Sequence, residues 1–191
     1  MQYAIWNGDA VTGVSTQWMA EKLDAGDIIL QREISISSDE SSGELFEKLV
    51  PLGAQVLSET LRLMQNGTAP RVPQDESMAT FAPTIKKEYA RIDWKQNARE
   101  INNKIRAFNP RPIAFCEWKG EPLKIHRAAC KGSTPFAAPG VVLEAKDSVC
   151  IATGAGALEL LEVQPAGKPK MSASDWVRGA RLEVGEKLNA S

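Results

Sequence analysis

The pattern of hydrophobic and polar positions along the first forty residues predicts two strands. Residues 13–19 and 28–36 carry the β-branched and apolar side chains that strands favour, and glycines flank both runs. The run from Leu23 to Asp27, which reads Leu-Asp-Ala-Gly-Asp, has the residues typical of a turn. We therefore expect a pair of strands joined at this turn.

Beyond residue 40 the spacing of apolar residues changes to that of a helix. Ser41 followed by Glu44 is a capping-box signature for its start, and Asn66-Gly67 is a stop signal. Pro51 lies inside the pattern and predicts a kink or a split, because proline lacks the backbone donor and crowds the preceding turn. The predicted apolar stripe consists of Leu45, Leu49, Leu52, Val56, Leu57, Leu61 and Met64.

A turn-rich stretch with several prolines, from residue 68 to about 83, predicts a linker, and a second helix follows it. Asn97, with Glu100 three positions later, caps this helix, which ends before Pro110. Its predicted apolar face consists of Ala98, Ile101, Ile105 and Phe108, and its other face offers Arg99, Lys104 and Arg106.

Beyond residue 112 the pattern is that of a small β unit. Five short strands in about fifty residues suggest a closed or partly open barrel of the OB kind. The Gly-x-Gly at 154–156 fits a tight hairpin better than a phosphate loop. Ser172, with Asp175 three positions later, caps a final helix that runs to about Gly179. The predicted strands are 113–118, 122–129, 140–145, 148–153 and 157–163.

Composition adds a charge asymmetry to this picture. The 191 residues are 43% hydrophobic and 25% charged, which is ordinary for a globular protein, and the formal net charge is -1. Residues 1–80, however, hold 5 Lys and Arg against 12 Asp and Glu, whereas residues 81–191 hold 18 against 12. The basic half is a candidate for contact with an anionic partner such as RNA, and a merely solvated basic surface is the alternative.

Phosphate contacts by basic side chains supply affinity that depends on salt and not on nucleotide sequence. The basic half offers two groups for such contacts, one on and after the second helix and one in the loop around Pro169. The candidate residues are Arg99, Lys104, Arg106, Arg111, Lys168 and Lys170.

Cysteine usage and hydropathy favour a soluble, cytoplasmic protein without a metal. The three cysteines are odd in number and none has the Cys-x-x-Cys spacing, so neither a disulfide framework nor a zinc site is supported. No apolar run approaches the ~20 residues that cross a bilayer, and Met1 is not followed by a signal peptide. We expect free thiols and no membrane association.

The chain contains one site-like acid and no complete catalytic set. Asp24, at its glycine turn, has the setting of a carboxylate that orients a histidine and raises its basicity. The chain has a single histidine, His126, far downstream on a predicted strand of the β unit. If Leu123 and Ile125 face the core, His126 faces solvent or a groove. An ordinary surface role is favoured for it, with a nucleic-acid contact as the alternative.

Six stretches, taken in order, resemble the C-terminal portion of bacterial methionyl-tRNA formyltransferases. The Leu-Asp-x-Gly-Asp element is shared by several folate-dependent formyltransferases and is moderately specific. The Ile-Asp-Trp, Arg-Ala-Phe-Asn-Pro and Gln-Pro-Ala-Gly-Lys elements are strong in combination. The matching stretches are 5–9 with 12–14, 23–28, 90–94, 105–110, 164–168 and 179–182.

The resemblance implies a fold class and a division into domains. The fold would be an α/β remnant of a Rossmann-like formyltransferase domain, with two or three strands plus a helix, followed by a small OB-like β-barrel domain. Residues 1–66 would be the remnant of the catalytic domain and residues 67–96 a linker. Residues 97–191 would be the OB-like, tRNA-binding domain with its leading helix.

The resemblance also implies an activity. Such enzymes transfer a formyl group from 10-formyltetrahydrofolate to the amino group of initiator methionyl-tRNA in translation initiation. The implied catalytic residue is Asp24, and Leu23, Gly26 and Asp27 would be the remnant of the folate pocket. The basic candidates given above would contact the tRNA. The family implies no metal, membrane or protein partner, and a complete enzyme would be a monomer.

One departure from the family bears on activity. In the family an Asn and a His of an Asn-x-His-x-Ser-Leu-Leu-Pro motif act with the Asp that matches Asp24, and these 191 residues contain no such motif. The motif is expected upstream of the stretch 5–9, so we expect this chain to be inactive on its own. Three alternatives stay open: an RNA-binding module without catalysis, a folate-dependent relative that acts on another amine or hydrolyses formyl-folate, and a nonfunctional remnant. We also expect residues 1–66 to be less stable alone than residues 84–191.

Overall fold

A computed structural model describes residues 1–132 and 137–189 of the chain. In these residues an α/β unit is followed by a β unit that carries helices. The helices are α1 (Gln2–Asn7), α2 (Ser42–Gln65), α3 (Ala98–Ala107) and α4 (Ala173–Ala180). The strands are β1 (Val11–Gln17), β2 (Ile28–Ser35), β3 (Ala114–Trp118), β4 (Glu121–Lys131), β5 (Val142–Ala145), β6 (Val149–Ala152), β7 (Ala157–Pro165) and β8 (Met171–Ser172).

The first unit is an antiparallel hairpin of β1 and β2 with α2 packed against it. The predicted strand pair and its turn are confirmed. The predicted capping box of α2 is also present, because Ser41 Oγ accepts from the Glu44 amide at 3.3 Å and Glu44 Oε2 accepts from the Ser41 amide at 2.8 Å. The short helix α1 was not predicted, since six residues are too few to show a helical period.

Pro51 does not split α2, which is continuous from Ser42 to Gln65. The carbonyl that a residue without proline would bond here belongs to Glu47, four positions earlier. Both Pro51 and Glu47 are exposed, so water can satisfy that carbonyl. The helix therefore tolerates the proline on its solvent side.

The apolar stripe predicted for α2 is only partly buried. Leu45 and Val56 are buried, with Thr60 beside them, and the Thr60 hydroxyl lies 2.7 Å from the Thr16 hydroxyl of β1. The part of the stripe predicted beyond Val56 is wrong for the described structure, because those side chains face away from the hairpin. The exposed apolar residues of α2 are Phe46, Val50, Leu57, Leu61 and Met64.

The second unit is an antiparallel sheet with strand order β3-β4-β7-β6-β5, and β8 pairs with β7. All five predicted strands are present within two residues of their predicted bounds. The turn at 154–156 is a hairpin between β6 and β7, as predicted. Strand β8 has two residues, too few for a pattern. The final helix α4 begins after Ser172, whose hydroxyl accepts from the Asp175 amide, as predicted.

Helix α3 contributes to two separate cores. Its residues Ile101 and Ile105 are fully buried in the core of the sheet, which α4 also joins through Trp176. At its C-terminal end, Ala107 and Phe108 are fully buried in a second core that α1 and α2 complete. This second core, the shared core, consists of Ile5, Leu45, Ala90, Ala107 and Phe108. Ala90, which lies in the predicted linker, is therefore part of a packed core.

Polar contacts fix the same junction between the two units. The Arg106 guanidinium donates through Nη1 to the carbonyls of Ser37 at 3.2 Å and Glu40 at 3.0 Å, in the loop before α2. The Asn109 carbonyl accepts from the Ser42 hydroxyl at 2.7 Å and from the Gly43 amide at 3.0 Å. These bonds tie the start of α2 to the end of α3.

The turn between β1 and β2 requires glycine at one position. A Cβ atom on Gly26 would lie 1.7 Å from the Trp18 carbonyl oxygen, a distance that no side chain can occupy. The Trp18 amide also donates to the Asp27 carbonyl at 2.9 Å, which closes the turn. The close approach of the Trp18 backbone therefore requires a glycine at position 26.

Replacing Phe108 with Ala should destabilise both units together, by about 3–5 kcal/mol, because the ring fills the shared core. The matched control is Phe81→Ala, since Phe81 is 90% exposed and its loss should change the free energy of unfolding by less than about 0.5 kcal/mol. Urea denaturation measures both, and equal effects of the two variants would contradict the shared core.

Gly26→Ala should destabilise the chain by about 1–3 kcal/mol, because the added methyl group forces the turn backbone away from Trp18. The control is Gly53→Ala within α2, where no atom lies within 4 Å of the new Cβ. That change should stabilise the chain by about 1 kcal/mol through helix propensity. Thermal denaturation measures the change in stability of both variants. A Gly26→Ala variant with unchanged stability would argue against the close approach.

Candidate functional site

The structure places Asp24 on an exposed turn between the two strands of the hairpin. Its backbone has φ 57, in the left-handed region, and its side chain is open to solvent. Leu23 beside it is 90% exposed. Asp27 is half-buried, and its carboxylate lies 3.5 Å from the Arg71 guanidinium. The turn therefore presents one carboxylate and one apolar side chain outward.

These residues could form only one wall of a folate site. Leu23 offers an apolar surface, and Asp24 offers a carboxylate and its backbone. Gly26 is buried against Trp18 and leaves no side-chain volume at the turn. Their role as a remnant of a folate pocket stays a prediction.

A groove runs along the junction of the two units and consists of two adjoining cavities of about 440 and 600 Å³. One side is the loop before α2, and the other is the face of β4 and β7 together with α3. Four basic side chains line it, and we call these Arg99, Arg106, Arg127 and Lys170 the basic groove residues. Four acidic side chains, Asp9, Asp39, Glu44 and Glu162, line the same cavities.

The basic groove residues differ in how freely they present charge. Arg99 is exposed. Arg127 is exposed and lies 4.0 Å from Asp39, and Lys170 is 3.0 Å from Glu162. Arg106 is half-buried, and both of its Nη groups donate hydrogen bonds to protein acceptors. Its Nε atom is buried without a partner among the described residues. Surface ion pairs such as these two contribute little to stability.

His126 lies in the groove, half-buried on β4. Leu123 and Ile125 of the same strand are buried in the core, as the predicted alternation requires. The His126 Nε2 atom is 3.2 Å from Gln164 Oε1, and the His126 carbonyl accepts from Asn109 Nδ2 at 2.9 Å. Burial lowers the pKa of His126, against the opposing effect of the Gln164 contact. The lowered pKa favours the neutral imidazole, and its Nε2 atom is in contact with the Gln164 amide oxygen.

Three of the predicted tRNA contacts lie outside the groove. Lys104 is 7% exposed, and its Nζ donates to the Arg91 carbonyl at 3.2 Å while lying 5.8 Å from the centre of the Trp6 ring. Burial lowers the pKa of Lys104, while Asp93 opposes the shift. Arg111 lines a different cavity beside α1, and Lys168 is exposed in the loop between β7 and β8.

Sequence reasoning brought forward Arg99, Arg106 and Lys170, which the structure assembles, and missed Arg127. The spacing gave no signal for Arg127, because alternation places it on the same face as the buried Leu123 and Ile125. A bulge in the pairing of β4 with β7 at this point places both His126 and Arg127 on the groove side. Alternation alone would have put them on opposite faces.

Residues 1–132 and 137–189 show no sign of two other kinds of site. They contain no group of three or more His, Cys, Asp and Glu side chains that could hold a metal ion. In the same ranges, no helix is both long and apolar enough to span a membrane. Cys116, Cys130 and Cys150 are free thiols, and burial raises the pKa of each.

Two family descriptions match successive parts of the chain. Residues 1–61 match "Formyl transferase" and residues 84–181 match "Formyl transferase, C-terminal domain". A curated relative from Geobacillus thermodenitrificans (strain NG80-2), named methionyl-tRNA formyltransferase, is 44% identical over 98% of this chain. The chain spans 60% of that relative's length. The resemblance predicted from the sequence is confirmed.

Solved structures share the fold at low sequence identity. HypX from Aquifex aeolicus in complex with tetrahydrofolic acid matches 97% of this chain and 33% of its own, with a TM-score of 0.69 and 22% identity. An N-formyltransferase from Helicobacter canadensis, in complex with folinic acid and dTDP-3-aminofucose, matches 85% of this chain and 58% of its own, with a TM-score of 0.65 and 20% identity. They support the predicted fold class, a remnant of the Rossmann-like formyltransferase domain followed by a β domain. With both parts of the family matched in order along one chain, this protein belongs to the formyl transferase family.

Proposed function

We propose that this chain is the tRNA-holding part of a methionyl-tRNA formyltransferase, together with the turn that carries one catalytic carboxylate. The reaction would move a formyl group from 10-formyltetrahydrofolate to the amino group of initiator methionyl-tRNA. The observation that carries the proposal is the 44% identity to a methionyl-tRNA formyltransferase over 98% of the chain. A cytoplasmic location, where initiator tRNA is charged and used, follows from this function.

The groove at the junction of the units is the proposed tRNA surface. Its basic groove residues line cavities between the two units together with acidic side chains, and the exposed members of the basic groove residues are the ones that can contact phosphates. Lys168, exposed in the loop next to Lys170, adds a further cation. Arg111 lies apart and would make a separate contact, whereas the buried Lys104 is committed to the Arg91 carbonyl and is left out of this surface.

Formyl transfer to an amine has two chemical requirements. The amine must lose a proton as it attacks, and the formyl oxygen must be stabilised as it gains negative charge. Asp24 supplies a carboxylate that could orient a histidine, but the single histidine of the chain bonds Gln164 in the groove. No Asn-x-His element occurs in these 191 residues. We therefore propose that this stretch of chain carries binding and one orienting carboxylate, and not a complete catalytic set.

The purified 191-residue chain should give no formylation of methionyl-tRNA above a no-enzyme blank, because the base and the amide donor are absent. The full-length relative from Geobacillus thermodenitrificans serves as the positive control in the same assay. Turnover above the blank that disappears in Asp24→Ala would contradict this expectation and show that the chain catalyses the transfer without the Asn-x-His motif, with Asp24 required.

The chain should bind initiator tRNA with an affinity that falls steeply as salt rises. Arg99→Ala should lower the slope of log affinity against log salt by about 1, since each phosphate contact releases about one counterion. The control is Lys146→Ala, an exposed lysine in the β5–β6 turn at the other edge of the sheet. Filter binding across a salt series measures both, and an unchanged slope in Arg99→Ala would remove the groove from the tRNA surface.

A second candidate function is formylation of a different amine. The Helicobacter canadensis neighbour was solved with an amino-sugar nucleotide, and its fold covers 85% of this chain. At 20% identity that likeness concerns the fold alone. Competition decides between the two: displacement of tRNA by dTDP-3-aminofucose would favour the sugar-nucleotide function, and no displacement would favour tRNA.

A further inference from the structure

A short segment that follows α2 crosses the turn that carries Asp24. We call this segment, residues 70–76, the strap. Its Val72 forms two backbone hydrogen bonds with Ile28 at the start of β2, with N to O distances of 2.8 and 3.1 Å. The Pro70 carbonyl accepts from the Trp18 indole at 2.9 Å. The strap is therefore bonded to residues on both sides of the turn.

Charged side chains of the strap also contact residues of the turn. Arg71 lies over the Trp18 ring, with its Cζ 4.1 Å from the ring centre, and its guanidinium is 3.5 Å from the Asp27 carboxylate. Glu76 is 3.4 Å from the Lys22 ammonium. These contacts are exposed and individually weak, but they all join the strap to the same turn.

Gln74 makes the central contact between the strap and the turn. Its side-chain Nε2 donates to the backbone carbonyls of Asp24 at 2.9 Å and Gly26 at 2.7 Å, and it lies 3.0 Å from Gln17 Oε1. One amide group thus holds two carbonyls that flank Ala25. No other described side chain donates to the backbone of the turn at residues 23–26.

The tip of the turn, residues 19–26, has little backbone hydrogen bonding of its own. Asp24 has a left-handed φ of 57, which is uncommon for a residue with a Cβ atom. The Trp18 amide closes the base of the loop on the Asp27 carbonyl at 2.9 Å, but among the described backbone bonds at residues 19–26 there is one within the loop, from the Ala25 amide to the Lys22 carbonyl at 3.4 Å, which is long. The conformation of Asp24 is therefore stabilised from outside the hairpin, by a residue fifty positions away.

We propose that Gln74 is a positioning residue for Asp24, which fixes the direction of the carboxylate by clamping the carbonyls on either side of Ala25. This inference rests on the proposed function for its significance, because Asp24 is the carboxylate that the family reaction would use. The inference gives the segment predicted as a linker a role in that function. The contact of Gln74 couples the position of the Asp24 carboxylate to the segment that leads into the second unit.

The test compares Gln74→Met, which keeps the length of the side chain and removes the donor, with the wild-type chain. The first measurement is amide hydrogen exchange, which should become about tenfold faster at residues 24–28 when the two bonds are lost. The second is the strong intraresidue nuclear Overhauser effect between the amide and Hα protons of Asp24, which a left-handed residue gives and which should weaken.

The matched control is Gln31→Met in β2 of the same hairpin, because Gln31 Nε2 donates to Ser15 Oγ at 2.9 Å and does not touch the turn. It should leave exchange at residues 24–28 and the Asp24 signal unchanged. If a variant destabilised the whole hairpin, amide exchange would also become faster in the middle of β1 and β2. Exchange in these two strands therefore detects a general loss of stability.

Each outcome decides the proposal. Faster exchange confined to the turn, with a weakened Asp24 signal, in Gln74→Met alone supports the positioning role. An unchanged turn, or a loss of protection spread evenly over the hairpin, overturns it. Salt-dependent tRNA binding is measured on the same proteins, and its absence would count against the proposed function while leaving the role of Gln74 in the turn unaffected.

Discussion

Burial of the C-terminal end of α3 is the interaction on which the rest of this structure depends. Two parts of this helix are buried in different cores. Ile101 and Ile105 enter the core of the sheet, while Phe108, at the C-terminal end, enters a core built with α1 and α2. The edge of the Phe108 ring packs on Trp6, with ring centres 4.8 Å apart. A helix that completes two cores cannot shift without disturbing both, since packed interiors tolerate little displacement. The two units are therefore held in one arrangement by apolar packing, and the Arg106 and Asn109 hydrogen bonds add direction to it.

That arrangement creates the groove and separates it from the Asp24 turn. The groove exists because the loop before α2 is bonded to α3 beside the face of β4 and β7, which brings acidic and basic side chains from distant parts of the chain together. The Asp24 turn stands on the far end of the hairpin and receives its support from residues 70–76. The proposed binding groove and the proposed orienting carboxylate of Asp24 thus occupy different places in the structure.

The first unit carries an apolar surface that the described residues do not cover. One face of α2 packs on the hairpin and the shared core, whereas the opposite face exposes Phe46, Val50, Leu57, Leu61 and Met64. A contiguous apolar stripe of this kind is typical of a surface that packs on another element. The chain also spans only 60% of the length of its methionyl-tRNA formyltransferase relative. Among the described residues, this unit joins the rest of the chain through Ile5 and Leu45 in the shared core, and this opposite face stays exposed.

The sequence by itself determined the local elements and the lineage. The capping residues Ser41, Asn97 and Ser172, the strand runs and the turn at 154–156 were readable because each depends on neighbours a few residues away. The family was readable because its motifs are contiguous. Tertiary structure alone decided that Lys104 is buried against Arg91, that Leu57 and Leu61 stay exposed, that Arg127 joins the groove through a bulge, and that Gln74 clamps the Asp24 turn. Each of these depends on contacts between residues far apart in the chain, and no spacing or composition records such contacts.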